Sequence, residues 1–299
     1  MKKRFLACAM AAMMAASLAA CGQSADSSAD TAQATAAENA ESAAAETEEV
    51  VETVEAATET VAERTTLIVG FDAEFPPYGY KDESGEYVGF DLDLAAEVCE
   101  RKGWELVKQP IDWDSKDMEL SAGTIDCIWN GFTMNGREEQ YTFSVPYVDN
   151  SQVFVVAEDS GIATKADLAG KVVGVQKESS ALAALEEEEN ADLMNSFASL
   201  NQYADYNTAF MDLEAGAIDA LAMDIGVANY NINQRESGFV VLEDQLASEQ
   251  YAIGFLLGNT ELKDEVEKTL LEMVDDGTFM EIAEKYADFG LVDSVCLGK

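Results

Sequence analysis

Three side chains could do chemistry if folding brought them together: the carboxylates of Asp72 and Asp224 and the guanidinium of Arg137. Paired carboxylates either pass protons in acid–base catalysis or hold a cationic group. An arginine presents a planar fork of donors that matches a carboxylate. Arg137 is one of two arginines between positions 102 and 299 and directly follows a strand end; a surface arginine at a helix start is the plainer alternative. Histidine is absent, which removes Ser–His and Cys–His nucleophiles and the usual zinc sites. Neither a metal-binding cluster nor a cofactor is implied.

The elements that must position these groups announce themselves through a repeat. MELSAGTIDCIWNG (Met118 to Gly131) and MDLEAGAIDALAMD (Met211 to Asp224) lie 93 positions apart and share six of fourteen residues. Each reads as the last turns of a helix, a glycine stop and a short buried strand. Ligands of parallel α/β sheets sit beyond the carboxyl ends of the strands. Those ends carry Asn130-Gly131 in one copy and Asp224 in the other. Two similar lobes, each turning a polar strand end toward the other, describe a cleft; chance similarity between two α/β hairpins is the alternative.

Elsewhere strands alternate with helices, the mark of an α/β domain. Thr66 to Phe71, Gln152 to Ala157 and Lys171 to Val175 read as strands, and Asp91 to Lys102 as an amphipathic helix. Thr164 to Asp167 reads as a capping box, Ser179-Ser180 as a cap before ALAALEEEE, and Asn207 as the cap of the helix leading into the second copy. EQYAIGFLL reads as one strand, followed by two helices with core-facing stripes at Leu262, Val266, Leu270 and Met273 and at Phe279, Ile282 and Tyr286. Lobe 1 is expected over 65–149 and 249–299 and lobe 2 over 150–248. Two crossings would form a hinge.

The N-terminus speaks to location. Lys2, Lys3 and Arg4 precede a short apolar run and then Leu18-Ala19-Ala20-Cys21, a secretory signal over 1–21. Residues 22–64 are mostly Ala, Glu, Thr and Ser, without an aromatic or a proline, and read as a disordered acidic tether. The remaining 235 residues carry 47 acidic and 14 basic side chains, which argues against nucleic acid and anionic membrane surfaces as partners. Cys99, Cys127 and Cys296 are an odd number, so no disulfide framework follows.

LIVGFDAEFPPYGYKDESGEYVGFDLDLAAEV, GTIDCIWNGFTMNGREEQYTFSVPY, ADLAGKVVGVQKESSALAAL, GAIDALAMD and EQYAIGFLLGN together resemble bacterial extracellular solute-binding proteins of family 3 over nearly all of residues 66 to 290. Cys21 likewise resembles the lipidated (palmitate-bearing) cysteine of bacterial lipoproteins. The resemblance implies an α/β, two-lobed periplasmic-binding-protein-like fold (type II), with the ligand cleft between lobes joined by two hinge strands. It also implies an anchored monomer on the extracellular face of the cell membrane. Its ligand would be a free amino acid, delivered to an ABC permease and its ATPase.

The residues then fall into roles. Arg137, Thr133 and Ser179-Ser180 are expected at the ligand carboxylate, although GFTMNGR is one residue shorter than the family stretch. Asp224 and the backbone of Gly131 are expected at the α-ammonium. Asp72, Phe75 and Trp113 would meet the side chain, with Gln176 on the far wall. Asp72 would accept from an amide or a cation and repel an acid, favouring a polar or basic amino acid. Core packing for Phe75 and helix capping for Ser179 and Asp224 are the structural alternatives. A ligand-sensing surface lipoprotein, or a dehydratase or lytic transglycosylase on the same fold, are the competing functions; the expectation is a binder, not an enzyme.

Overall fold

The computed structural model describes residues 63–235 and 238–299. The signal segment, Cys21 and the tether up to residue 62 lie outside them. Arg64, at the end of the tether, is tied to the fold: its Nη1 lies 2.8 Å from the Asp126 carboxylate and 3.0 Å from the Thr66 carbonyl oxygen. Among the described residues, no helix is long and apolar enough to cross a membrane.

One five-stranded plan occurs twice. The first sheet runs Glu105–Pro110, Thr66–Phe71, Cys127–Ile128, Gly254–Leu256, Tyr141–Phe143. The second runs Ser199–Tyr203, Val172–Gln176, Ala220–Asp224, Val148–Ala157, Phe239–Val241. In each, the first three strands are parallel and the fourth is antiparallel to both neighbours. The protein is therefore mixed α/β with two lobes. Buried side chains of the helices Phe90–Lys102 and Thr260–Asp276, among them Leu94, Val98, Val266 and Leu270, join one core with Leu67, Val69 and Phe255 of the first sheet.

Between the sheets, Ala247–Tyr251 pairs antiparallel with the start of Val148–Ala157, setting Asn150 opposite Glu249. The chain leaves the first sheet along one of these strands and returns along the other. EQYAIGFLL is consequently two strands rather than one. Its first part pairs with the crossing strand, and Gly254–Leu256 joins the first sheet.

The repeat is structural as well as sequential. The helices Lys116–Ala122 and Tyr206–Glu214 end near Gly123 and Gly216, at φ 72 and 69, the left-handed conformation that glycine adopts without a Cβ penalty. The repeated aspartates do the same work in both copies. Asp126 accepts the Ile68 N–H at 2.7 Å and Asp219 accepts the Val172 N–H at 2.8 Å. A base, Arg64 or Lys171, lies beside each. One helix cap differs from expectation: Asp205, not Asn207, accepts the Thr208 N–H, because the helix already begins at Tyr206 and Asn207 sits inside its first turn.

Candidate functional site

On the first lobe, the strand Thr66–Phe71 runs straight into Asp72. The Asp72 N–H donates to Asn130 Oδ1 at 3.0 Å, so the two polar strand ends are fastened side by side. The Asp72 carboxylate accepts the Glu74 N–H at 2.8 Å and the Gln176 side-chain amide at 2.7 Å. It is buried, and desolvation outweighs those two donors, pushing its carboxyl up to about 6. Phe75 is buried with its ring centroid 5.9 Å from that of Tyr206. Trp113 is packed edge-on against Phe132, with the Lys116 ammonium 5.2 Å from its ring centroid.

Gly131 occupies φ 52, and a Cβ there would stand 2.8 Å from the Phe75 ring and 3.0 Å from that of Tyr251. Its N–H donates to Asp91, a fully buried acid from the first turn of Phe90–Lys102 whose carboxyl burial raises to about 7. The shortened loop after Thr133 closes as a turn. The Arg137 N–H donates to the Met134 carbonyl at 3.0 Å, with Gly136 at φ 79 in the third turn position. The turn brings the guanidinium back over the Phe132 ring, 5.1 Å from its centroid, and Nη1 donates to the Thr133 carbonyl at 3.1 Å. No carboxylate among the described residues forms an ion pair with Arg137.

On the second lobe, Val172–Gln176 ends in the Gln176 amide that reaches across to Asp72. The segment to the next helix holds Glu178 at φ 53, an uncommon conformation outside glycine. Ser179 caps the helix Ser180–Glu186: its hydroxyl accepts the Leu182 N–H and donates to the Gln176 carbonyl. Asp224 stands at the N-cap position of Ile225–Gln234, yet its side chain makes no capping bond. Instead it accepts from Asn150, Gln152, Tyr206 and Tyr251. Burial, reinforced by the charge of Glu249, pushes its carboxyl up to about 7.

Nine of the ten expected residues line one narrow cavity of ≈ 10 Å³: Phe75, Trp113, Gly131, Thr133, Arg137, Gln176, Ser179, Ser180 and Asp224. Asp72 is the exception. It touches Gln176 and faces a neighbouring cavity of ≈ 410 Å³ that Trp113 also lines. Thr133, Arg137, Ser179 and Ser180 also border a third, wider cavity of ≈ 570 Å³. Sequence reasoning passed over Asn150, Gln152 and Glu249, whose side chains form the floor at the crossing strands. A signal was present: Asn150 and Gln152 alternate on a strand that is otherwise buried and apolar from Val153 onward.

A cleft between two like α/β lobes joined by two strands, with buried acids and a guanidinium that pairs with no described carboxylate on its walls, defines a small-molecule binding protein. Residues 67–289 match the bacterial extracellular solute-binding proteins, family 3, and the chain belongs to that family. It is 28% identical over 235 residues to the L-cystine-binding protein TcyJ of Escherichia coli K12, covering 78% of this chain and 86% of the relative. The arginine-binding extracellular protein ArtP of Bacillus subtilis 168 is 30% identical over 227 residues, 74% of this chain and 85% of its own. Among solved structures, an ABC uptake transporter substrate-binding protein from Streptococcus pneumoniae with bound histidine superposes with a TM-score of 0.71 at 38% identity. That match covers 74% of this chain and 92% of the pneumococcal chain.

Proposed function

We propose that this protein is the extracellular receptor of an ABC importer that closes around one free polar or basic amino acid and presents it to a membrane permease. The observation that carries this reading is the polarity of the cavity. Arg137, with its fork free of a carboxylate partner among the described residues, lines the same cavity as the buried Asp224. A zwitterion laid across the cleft satisfies both. Its carboxylate takes the Arg137 guanidinium and the donors near Thr133 and Ser180, and its ammonium takes Asp224. The side chain then points toward Phe75, Trp113 and the Asp72–Gln176 pair, which suits an amide or a cation and disfavours an acid. Relatives named for cystine, arginine and bound histidine support an amino-acid ligand. Because Arg137 and Asp224 come from different lobes, the ligand gains both contacts only in the closed form and so favours it. Anchoring through Cys21 at the outer face of the cell membrane completes the reading.

A thermal-shift screen of residues 63–299 against the common amino acids and cystine tests it. Polar or basic amino acids should raise the melting temperature in step with the logarithm of concentration. A screen in which no amino acid does so, or only glutamate and aspartate do, refutes it.

A further inference from the structure

The floor of the cleft holds a second acid besides Asp224. Glu249, on the returning crossing strand, is buried, and its Oε1 accepts from Thr133 at 2.9 Å, Asn150 at 2.7 Å and Gln152 at 2.8 Å. Asn150 Nδ2 and Gln152 Nε2 are also the amides that contact Asp224 Oδ1, at 2.9 and 2.6 Å. Gln152 Nε2 lies 2.6 Å from one acid and 2.8 Å from the other, so the two carboxylate oxygens are at most about 5.4 Å apart, those lengths laid end to end. A charge on Glu249 this close, in a site this buried, makes Asp224 harder to ionise.

Donors are also in short supply. Gln152 Nε2 has two hydrogens and three acceptors in range: Ser180, Asp224 and Glu249. Meanwhile the carbonyl oxygens of the same two amides, Asn150 Oδ1 and Gln152 Oε1, are buried without a donor. An unpaired buried acceptor is costly, and this floor has two beside two carboxylates. Such a site calls for a group that brings several N–H donors and a positive charge.

We infer that Glu249 is a second carboxylate of the ammonium subsite, and that its charge beside Asp224 helps hold a proton on Asp224 until the α-ammonium of the ligand displaces that proton into solvent. The balance is simple: one ammonium enters, and up to one proton leaves for the buffer. No other bond changes. The groups around the pair leave the exchange to it. The hydroxyls of Tyr206, Tyr251 and Tyr78 are all held well above their ordinary range by burial, so they stay protonated donors. Ser180, Asn150, Gln152 and Thr133 carry no titratable group. Asp72 lies beyond Gln176, and Asp91 behind Gly131.

This inference rests on the amino-acid receptor reading, and the test separates the two. The ligand is whichever of L-arginine, L-glutamine, L-histidine and L-cystine binds most tightly. It is titrated calorimetrically at pH 7 in buffers of different ionisation enthalpy, which counts protons released per ligand. Wild type should release about half a proton, with affinity falling as pH drops from 7.5 to 5.5, by up to about tenfold per unit. Glu249→Gln should release fewer, with a correspondingly flatter profile, and Glu249→Asp, which keeps a carboxylate, should restore release. Comparing variant with wild type cancels any proton that a basic ligand draws from Asp72. Equal release by wild type and Glu249→Gln, or none by wild type, overturns the role of Glu249 in holding that proton while leaving the receptor intact. If the Gln variant fails to fold, the wild-type count and the Asp variant decide. A protein that binds none of the four overturns both readings.

Discussion

Asp72 offers a quantitative test of side-chain selectivity. Its carboxyl sits at about 6 against an ordinary 3.8, with burial as the chief cause. At about 1.4 kcal/mol per pKa unit, ionising it in place costs on the order of 3 kcal/mol more than in water. A guanidinium or ammonium from a basic ligand offsets that cost, and a neutral amide offsets much less. Affinity for L-arginine should therefore be full above pH 7 and fall through 6, by roughly tenfold at pH 5, as protons compete for the carboxylate. Affinity for L-glutamine carries no such component. The ratio of the two, measured calorimetrically from pH 5 to 8, cancels whatever the ammonium subsite contributes to both. In Asp72→Asn the ratio should lose its pH dependence. In the variant an amide nitrogen replaces one carboxylate oxygen, so the Glu74 N–H or the Gln176 amide loses its charged acceptor. Losing a charge-assisted bond of about 1.5–3 kcal/mol should weaken arginine binding by roughly 10- to 150-fold. A ratio independent of pH in wild type, or equal losses for both ligands in the variant, refutes the argument.

Arg137→Ala should weaken amino-acid binding by about 30-fold or more, because truncating one member of a buried charge pair costs about 2–5 kcal/mol. Melting should shift little, since the guanidinium makes one internal hydrogen bond; calorimetry showing unchanged affinity would remove Arg137 from the site. Gly226→Ala places a Cβ 2.5 Å from the Tyr78 hydroxyl on the opposing lobe. It should prop the lobes apart, so that saturating ligand no longer compacts the protein in small-angle scattering; normal compaction contradicts this. Asp91, raised from 3.8 to about 7, favours the fold when protonated. That contribution is complete below about pH 4 and is lost as pH rises through 7, on the order of 4 kcal/mol. Asp91→Asn should therefore flatten the decline in unfolding free energy between pH 5 and 8, and a wild-type slope would refute the assignment.

The fold and the cavity wall were legible because local rules and tertiary placement agree there. Glycine stops, short apolar strands and Ser179 as a cap are written in a few adjacent residues. The carboxyl ends of parallel strands then carry their polar residues to one place. Asp205 displaced Asn207 as a cap because two good capping residues lie two positions apart, and the helix begin decides between them. Asp91 stands in the first turn of an amphipathic helix, where an acid is ordinarily solvent-facing. Its burial depends on the Gly131 loop, 40 residues away, which no periodicity reports. The floor was hidden for a related reason. Glu249, Asn150 and Gln152 become neighbours only through the antiparallel register of two strands nearly a hundred residues apart.

The repeat shows how one scaffold yields an asymmetric site. In both copies the aspartate that follows the glycine stop clamps the start of the adjacent strand, by Asp126 to Ile68 and Asp219 to Val172. The paired copies thus hold their strand ends rigidly and equivalently, and this duplicated part does no chemistry. What differs is the last position, Gly131 against Asp224. Glycine lets the first lobe bring backbone close to Phe75 and Tyr251, where any Cβ would collide, while the aspartate gives the second lobe a buried charge. Exchanging them would fail on both sides. A side chain at 131 has no room, and a glycine at 224 would leave the Tyr206 and Tyr251 hydroxyls without their acceptor. The scaffold is therefore free to repeat, and the site is fixed by where the repeat breaks.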